Sequence, residues 1–416
     1  MADEADAVLL PEIRVPALWT FAGLVGGLAI GIAAQGSPAL APALALAEPV
    51  GALWLRALQM TILPLVSALI FTGVLRTVAA ASAGAMARRT LGLFVAVLLS
   101  GAVLSALLLP WLFQAFPVPA GAIAAISAAG HDEAARLPGI GDYLATLIPA
   151  NVFEAAARDA VLPVVLFMAL FALAAARLPD AQRRTLGALF EAIAAAMMVV
   201  IGWVLRLAPI GVFALALGVA AKSGSATVAA LGHYIVLVSA IGLAVTLGAY
   251  GIAIFAGRQR PLAFARAMLP AQAVAISTQS SLASLPAMLA VCRKLGLRET
   301  SADFVLPLAV AVFRATSPAM NIAVVAYVAQ LTGVALTPAD YAAGIAVSLL
   351  VMLGSPSLPG TISYVTAGGP IALAMGVPIG PLALLVAVEM LPDIVRTLGN
   401  VTMDVAVTAA VDRRSS

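Results

Sequence analysis

Uncharged apolar blocks follow one another along most of the chain, and their lengths predict helices that cross a membrane. The blocks lie at about 16–34, 57–75, 90–117, 161–176, 192–221, 226–257 and 315–339. Arg206 interrupts the fifth block. Each block is long enough, or nearly so, for one crossing of a hydrocarbon layer ~30 Å thick. The pattern therefore predicts an all-α membrane protein with several spans.

Two further uncharged stretches, 267–292 and 341–388, carry polar residues and proline in their middle. The interruptions fall at 277–286 and 354–360, and each predicts two half-length helices that meet at an irregular tip, a re-entrant hairpin. Irregular backbone at membrane depth is tolerated only inside protein or beside a wet cavity. A matched pair of broken segments is typical of an inverted-repeat transporter with its site near the midplane. The alternative is that Gly, Pro and Ser only kink two packed helices.

A stripe of polar residues lies in the apolar sequence near the C-terminus. Its members are Glu389, Asp393, Arg396, Asn400 and Asp404. On an α-helix their spacing places all five within a sector roughly 80° wide. Four charges in a bilayer core cost on the order of 10 kcal/mol together unless they are paired or hydrated. The stripe therefore indicates a substrate or ion path, and the alternative is a structural network of buried salt bridges.

The side chains of this stripe favour one class of ligand. Arg396 offers a planar fork that suits a carboxylate held through two hydrogen bonds. Asp393 suits an ammonium group, and Asn400 can both donate and accept. These groups together match an acidic amino acid better than a sugar or a cation. Asp404 could hold a cation or a proton, whereas Glu389 is as well explained by packing at an interface.

Composition and charge exclude several classes of function. Hydrophobic residues make up 63% of the 416 residues and charged residues 10%, too few for the surface of a soluble domain of this size. The sequence has no patch of basic and aromatic residues that would indicate binding of nucleic acid. Neither the two lysines nor the two histidines stand in a motif with a serine, so we expect no enzyme. Cys292 is the single cysteine and excludes an internal disulfide.

The distribution of basic residues predicts an orientation. Connections near 76–89, 177–184, 258–266 and 293–298, together with 413–414, are richer in arginine and lysine than those of opposite parity. The positive-inside rule then places both termini in the cytoplasm. Residues 1–14 carry both charge signs and do not form a secretory signal. We therefore expect a multi-pass protein of the bacterial inner (cell) membrane.

Short motifs along nearly the whole chain carry a family resemblance. They are Leu63-Pro64-Leu65-Val66, Ile148-Pro149-Ala150-Asn151, Val161-Leu162-Pro163, Ala208-Pro209-Ile210-Gly211-Val212-Phe213-Ala214-Leu215, Leu285-Pro286, Leu358-Pro359-Gly360 and Asp393-x-x-Arg396-Thr397-x-x-Asn400-Val401-Thr402-x-Asp404. With these motifs the chain resembles the dicarboxylate/amino acid:cation symporter family, the prokaryotic relatives of glutamate transporters. The last motif is specific, because a chance match at that spacing is improbable.

The resemblance implies a fold and a transport mechanism. The fold has eight membrane helices and two re-entrant hairpins, in inverted repeats, and assembles as a homotrimer. A scaffold domain would hold a transport domain that moves like an elevator, with the second hairpin as its gate. The implied division is 1–75 scaffold helices 1 and 2, 76–135 helix 3 and a loop of the transport domain, 136–221 scaffold helices 4 and 5, and 222–416 the transport core, in which hairpin 1 is about 267–292, helix 7 about 302–332, hairpin 2 about 341–375 and helix 8 about 378–411.

The resemblance also implies a binding site for aspartate or glutamate. Arg396 would bind the side-chain carboxylate of the substrate and Asp393 its amino group. The further substrate-binding residues would be Asn400, Thr397, Ser280, Ser281, Ser317, Leu358 and Gly360. The implied partners are a small-molecule substrate, membrane lipid and two further copies of the chain. No cofactor and no resident metal are expected, and the coupling ion would be H⁺ or Na⁺.

One departure from the family pattern bears on ion coupling. The family's seventh helix carries Asn-Met-Asp-Gly-Thr, where this chain has Phe313-Arg314-Ala315-Thr316-Ser317. The change removes oxygen ligands that a hard cation needs and adds a guanidinium. Our hypothesis is that Arg314, near Asp404 or the substrate, replaces the charge of sodium, so that transport is sodium-independent or driven by protons. Alternatively Arg314 snorkels or pairs with Glu389.

Smaller departures could also change coupling or substrate class. They are Gln279, Leu282 and the triplet 355–357 in the hairpins, with Ala96 and Leu99 in the third helix. A C4-dicarboxylate symporter coupled to protons or sodium is the alternative function, although Asp393 would repel a second carboxylate on the ligand. An uncoupled anion channel is a further alternative. The mixed signs of the charged stripe fit a binding site better than a selectivity ring.

Overall fold

A computed structural model describes residues 16–33, 35, 37, 41–82, 84–119, 148–158, 161–223, 225–354 and 360–414. Within these residues every regular element is a helix. The helices in chain order are α1 Ala17–Ala33, α2 Ala41–Ser82, α3 Ala85–Ala115, α4 Val152–Ala157, α5 Val161–Ala175, α6 Asp180–Arg206, α7 Ala208–Ser223, α8 Ala226–Gly251, α9 Pro261–Thr278, α10 Ser281–Lys294, α11 Glu299–Val312, α12 Ser317–Thr332, α13 Pro338–Gly354, α14 Gly360–Ala374, α15 Gly380–Leu385 and α16 Met390–Arg414. A π-helical turn, Ile252–Ala256, extends α8.

Length and hydropathy make this a multi-pass membrane protein. In the described part of the chain, six helical stretches are long and apolar enough to cross a bilayer: Ala41–Ala79, Ala85–Ala115, Asp180–Arg206, Ala226–Ala256, Glu299–Thr332 and Met390–Asp412. Shorter apolar helices cover Leu18–Ala33, Pro163–Ala175, Ala208–Ala221 and Pro338–Met352. The all-α prediction with several apolar helices is confirmed.

One group of helices packs around α2, which contacts α5, α6 and α7, while α1 packs along α7. The α1–α7 contact depends on a ridge of three glycines, Gly23, Gly27 and Gly31. A Cβ atom added at Gly27 would lie 2.6 Å from the carbonyl oxygen of Phe213. Small residues at every fourth position let two helix backbones approach closely in a membrane.

A second group packs around the C-terminal helix α16, which contacts α8, α9, α10 and α11. Helix α12 lies beside α3 and α8, and also meets α13 and α14. Helices α13 and α14 in turn contact α2 of the first group. The division into scaffold and transport domains stays a prediction that this packing does not test.

Both interrupted stretches form pairs of short helices. Helix α9 ends at Thr278, Gln279 has a left-handed backbone with φ of 50°, and Ser280 caps the start of α10. The polar run predicted to interrupt this stretch is thus where the helix breaks. In the second stretch α13 ends at Gly354 and α14 begins at Gly360, and the tip at 355–359 lies outside the described residues.

Three predicted spans are broken into separate helices. The block 192–221 ends as α6 at Arg206 and restarts as α7, because Pro209 cannot continue a helix from the preceding turn. The span 302–332 breaks at 313–316, just before Pro318 in the first turn of α12. The span 378–411 divides into α15 and α16, with a turn at 386–389 between them. At each break the helix ends leave backbone N–H and C=O groups that side chains can bind. The breaks at 313–316 and 386–389 lie at the charged stripe.

Candidate functional site

The charged stripe is buried inside the protein. Asp393, Arg396, Asn400 and Asp404 lie on α16 as predicted, and the relative exposure of each is 5% or less. Glu389 is also fully buried but precedes α16, in the turn after α15. The expected helical stripe is therefore right for four of the five residues. A buried group of this charge needs partners within the protein.

Arg396 is held by three side chains of the protein. Its Nη1 donates to Oδ1 of Asn321 across 2.8 Å, and its Nη2 donates to Oε1 of Glu389. Its Nε lies 3.3 Å from Oδ1 of Asp393, an ion-pair contact without the geometry of a hydrogen bond. The alternative interpretation of the stripe, a buried ion-pair network, thus describes part of what the structure contains.

Glu389 links Arg396 to helix α8. Its Oε2 accepts a hydrogen bond of 2.6 Å from the hydroxyl group of Tyr234, which is itself fully buried. The ring of Tyr234 packs edge-on against Tyr327 of α12, with centroids 5.4 Å apart. This packing holds the phenol in place, so the Glu389 carboxylate has one neutral donor and one cationic donor.

The unwound segment 313–316 lies beside the stripe. Phe313 stacks on Phe94 of α3 with ring centroids 4.1 Å apart and an interplanar angle of 4°, which fixes the segment against the bundle. The backbone N–H of Thr316 donates to Oδ1 of Asn400 across 2.9 Å. The Thr316 hydroxyl lies 2.8 Å from the same oxygen and 2.9 Å from the carbonyl oxygen of Arg396. Thr316 therefore joins the segment to α16.

Arg314 lies in this segment and is only 8% exposed. The charges close enough to act on its guanidinium are those of Asp393 and Arg396. Asp393 in turn lies under the influence of both arginines. Arg314 is thus within electrostatic reach of Asp393 and Arg396 on α16.

Asp404 is the carboxylate of the stripe nearest the C-terminus. It lies eight residues beyond Arg396, about 12 Å along the helix axis. Among the described residues neither of its side-chain oxygens has a hydrogen-bond partner, and its exposure is 0%. A carboxylate buried in this way is stable only if it binds a cation or a proton.

The other predicted substrate residues surround this cluster unevenly. Thr397 is buried beside Arg396 on α16, and Ser317 is buried at the start of α12. The hydroxyl oxygen of Ser317 has no hydrogen-bond partner among the described residues. Thr397 and Ser317 are thus at the cluster.

The hairpin residues make local contacts. Ser280 caps α10 by accepting from the backbone N–H of Ala283 across 3.2 Å, and Ser281 begins that helix. Gln279, Ser280 and Ser281 are all partly exposed at the tip. Gly360 begins α14, and Leu358 lies outside the described residues. Helix α10 packs on α16, which brings the first hairpin to the helix that carries the stripe.

A small apolar cleft, about 30 Å³ in volume, lies between α2, α14 and α15, and none of the stripe residues lines it. Its polar member is Tyr364. An apolar lining gives a charged ligand no partners, so this cleft is not the functional site.

The sequence analysis missed two residues of the cluster, Tyr234 and Asn321. It also missed that Thr316 links the unwound segment to α16. Asn321 had a usable signal, because a lone amide in an apolar span is a candidate functional residue. Tyr234 had none, since a tyrosine in an apolar helix is most often core. Their contacts join positions 75 to 155 residues apart along the chain.

Comparison with known proteins identifies the family of the chain. The profile described as "Sodium:dicarboxylate symporter family" matches residues 17–414. The chain is similar to a "Proton/sodium-glutamate symport protein" of Bacillus subtilis (strain 168), with 26% identity over 92% of this chain and 88% of that protein. It is also similar to a "C4-dicarboxylate transport protein" of Anaeromyxobacter sp. (strain K), with 27% identity over 88% of this chain and 83% of the relative. The chain therefore belongs to the sodium:dicarboxylate symporter family.

Proposed function

We propose that the protein is a secondary active transporter of acidic amino acids, aspartate or glutamate. The family is one of symporters, so the protein is a transporter and not an enzyme, as expected. One observation carries the substrate proposal: Arg396 and Asp393, of opposite charge, lie 3.3 Å apart in the protein interior beside an unwound segment. The glutamate symporter of Bacillus subtilis among its relatives agrees with this substrate class.

The proposed pose uses each group for what it binds best. Arg396 takes the side-chain carboxylate of the substrate, because a guanidinium matches the geometry of a carboxylate. Asp393 takes the ammonium group. Asn400 and Thr397 on α16 and Ser317 at the start of α12 would bind the remaining polar atoms. Ser280 and Ser281 from the first hairpin tip, with backbone at Leu358 and Gly360 of the second, would close the pocket.

A C4-dicarboxylate is the second candidate substrate, and Arg314 favours it. The charge of Asp393 is already offset by both Arg396 and Arg314. A carboxylate shared between two arginines attracts an ammonium group less strongly, and a second guanidinium can hold a second substrate carboxylate. The C4-dicarboxylate carriers among the relatives are consistent with this alternative.

For ion coupling we propose weakened or absent dependence on sodium. Arg314 brings a permanent positive charge to the substrate side of the site, where the family pattern has ligands for a cation. Asp404 and Gln279 are the further residues proposed to take part in coupling. Asp404, buried without a partner among the described residues, can bind a proton or a small cation.

The proposed mechanism is elevator-type alternating access in a homotrimer of the inner membrane, with both termini in the cytoplasm. The paired short helices α9–α10 and α13–α14 support two re-entrant hairpins, and the scaffold and moving domains are proposed from the family resemblance. Eight spanning helices, the gate at the second hairpin and the trimer belong to this proposal.

A calorimetric binding panel tests the substrate. Purified protein in choline buffer is titrated with l-aspartate, l-glutamate, a neutral amino acid and succinate, and the series is repeated in sodium. Tight binding of the acidic amino acids supports the proposal, and binding of succinate alone favours the dicarboxylate carrier. Uptake into liposomes with and without a sodium gradient tests coupling, and strong stimulation by sodium would refute the role proposed for Arg314. Flux that does not saturate with substrate would favour a channel.

A further inference from the structure

Glu389 occupies a position that no substrate assignment explains. It is fully buried, and both of its carboxylate oxygens are used: Oε1 by Nη2 of Arg396 and Oε2 by the hydroxyl of Tyr234 at 2.6 Å. A carboxylate that only packed at an interface would not need two strong donors. The two contacts fix Glu389 against the guanidinium that the proposed function assigns to the substrate.

The guanidinium of Arg396 has two edges that can hold a carboxylate through two bonds, and Nη2 belongs to both. Nη1, which completes one edge, already donates to Asn321. Nε, which completes the other, faces Asp393 at 3.3 Å. Each edge of the fork thus has partners from the chain itself. A substrate carboxylate that binds either edge through two bonds therefore competes for Arg396 with at least one of these partners.

Two of these partners are anions, Glu389 and Asp393, and the proposed pose assigns Asp393 to the ammonium group and leaves Glu389 without a role. We propose that Glu389 is the internal counter-ion of Arg396, which a substrate carboxylate replaces, and that the displaced Glu389 takes up one proton from the solvent. This inference rests on the proposed function, because it needs an anionic substrate on Arg396. It deepens that function by naming the group that couples substrate binding to a proton.

The surroundings of Glu389 explain why it would bind a proton once it is displaced. The ionisable groups that face it are Arg396 and Asp393 from α16, Tyr234 from α8 and Tyr364 from α14. Of these, Arg396 is the cation. Once Arg396 is shared with a substrate carboxylate, Glu389 would be a buried anion beside another carboxylate and two phenols, which is unfavourable. A proton converts its carboxylate to the neutral acid and leaves Oε2 free to keep accepting from Tyr234.

Proton uptake on binding is measurable directly. Purified protein in weakly buffered solution with a pH-indicator dye receives l-aspartate, and parallel samples receive succinate. We expect about one proton taken up per ligand bound, and a dissociation constant that rises about tenfold per pH unit across the titration window. If ligand binds with no proton uptake and with an affinity independent of pH, the inference is overturned while the proposed function stands. If neither ligand binds, the proposed function fails, and the inference with it.

Variants assign the proton to a residue. Glu389→Gln keeps a neutral acceptor for Tyr234, and should bind aspartate without taking up a proton. Tyr234→Phe removes the donor that favours the ionised carboxylate, so the uptake should move to higher pH. Asp404→Asn removes the buried carboxylate that has no hydrogen-bond partner among the described residues, and proton uptake on binding should persist in this variant. If Glu389→Gln still takes up a proton on binding and Asp404→Asn does not, the assignment to Glu389 is overturned.

Discussion

Arg396 and Asn321 are joined by a hydrogen bond of 2.8 Å between Nη1 and Oδ1, although 75 residues separate them in the chain. The bond ties α16 to α12 and orients the plane of the guanidinium. The Nδ2 group of Asn321 has no partner among the described residues. An amide that uses its acceptor and keeps its donor free can present that donor to an anion bound on the same guanidinium.

The planar fork of Arg396 is the first feature to test. In Arg396→Lys a single ammonium replaces three nitrogen atoms, so contacts to Asn321, Glu389 and Asp393 cannot all be kept. We expect the affinity for l-aspartate to fall roughly 100-fold, as loss of charged hydrogen bonds implies. Calorimetry measures this. The matched control is Arg293→Lys at an exposed ion pair with Glu299, which should bind as the unchanged protein does.

Asp393 should separate amino acids from dicarboxylates. Asp393→Asn removes the charge proposed to bind the ammonium group and leaves the volume of the side chain unchanged. Affinity for l-aspartate should fall about tenfold or more, while affinity for succinate should rise because a like charge has gone. Competition binding with both ligands gives the two values from one sample. Unchanged aspartate affinity would contradict the ammonium role, and the exposed Asp303→Asn on α11 serves as control.

Arg314 should support transport in the absence of sodium. Arg314→Gln leaves Asp393 with one arginine instead of two, and removes a buried charge from the unwound segment. Sodium-free uptake of aspartate into liposomes should fall at least about tenfold, because a buried charge pair has lost a partner. The exposed arginine at the end of α6 provides the matched variant Arg206→Gln, with unchanged uptake expected. Equal uptake in the two variants would show that the segment does not need the guanidinium.

Close packing at Gly399 should hold the segment in place. A Cβ atom there would lie 2.6 Å from Oγ1 of Thr246 and would clash with the methyl group of Thr316. Gly399→Ala should therefore push Thr316 away from Asn400 and destabilise the protein by about 1–3 kcal/mol. The midpoint temperature of thermal unfolding in detergent and the affinity for aspartate are both expected to fall. Gly92→Ala on α3, where a Cβ meets open space, should lower neither.

The parts of the fold that sequence predicted are those with a local signal. The polar run at 277–281 predicted the break between α9 and α10, and the spacing of Asp393, Arg396 and Asn400 predicted one buried face of α16. The interruption predicted at Arg206 coincides with the break before Pro209, whereas the span 302–332 was predicted as continuous across the break before Pro318. At this second break proline, rather than hydropathy, carried the information.

The partners of the charged cluster could not be predicted in the same way. Tyr234 reaches Glu389 across 155 residues, and helical periodicity contains no information about such pairings. The spacing of the stripe did bring Glu389 to the side of Arg396, although Glu389 lies one residue before α16 and its carbonyl oxygen accepts from the backbone N–H of Asp393. The contacts inside the site come from tertiary packing, which local patterns do not describe.

The glycine ridge of α1 has a consequence for how the protein can move. Because the backbones of α1 and α7 touch through Gly23, Gly27 and Gly31, neither helix can slide or rotate against the other without collision. The two helices must travel, or stay still, as one body. Spectroscopic labels on both helices should therefore keep a constant separation throughout a transport cycle, whether or not α16 changes its distance from the pair.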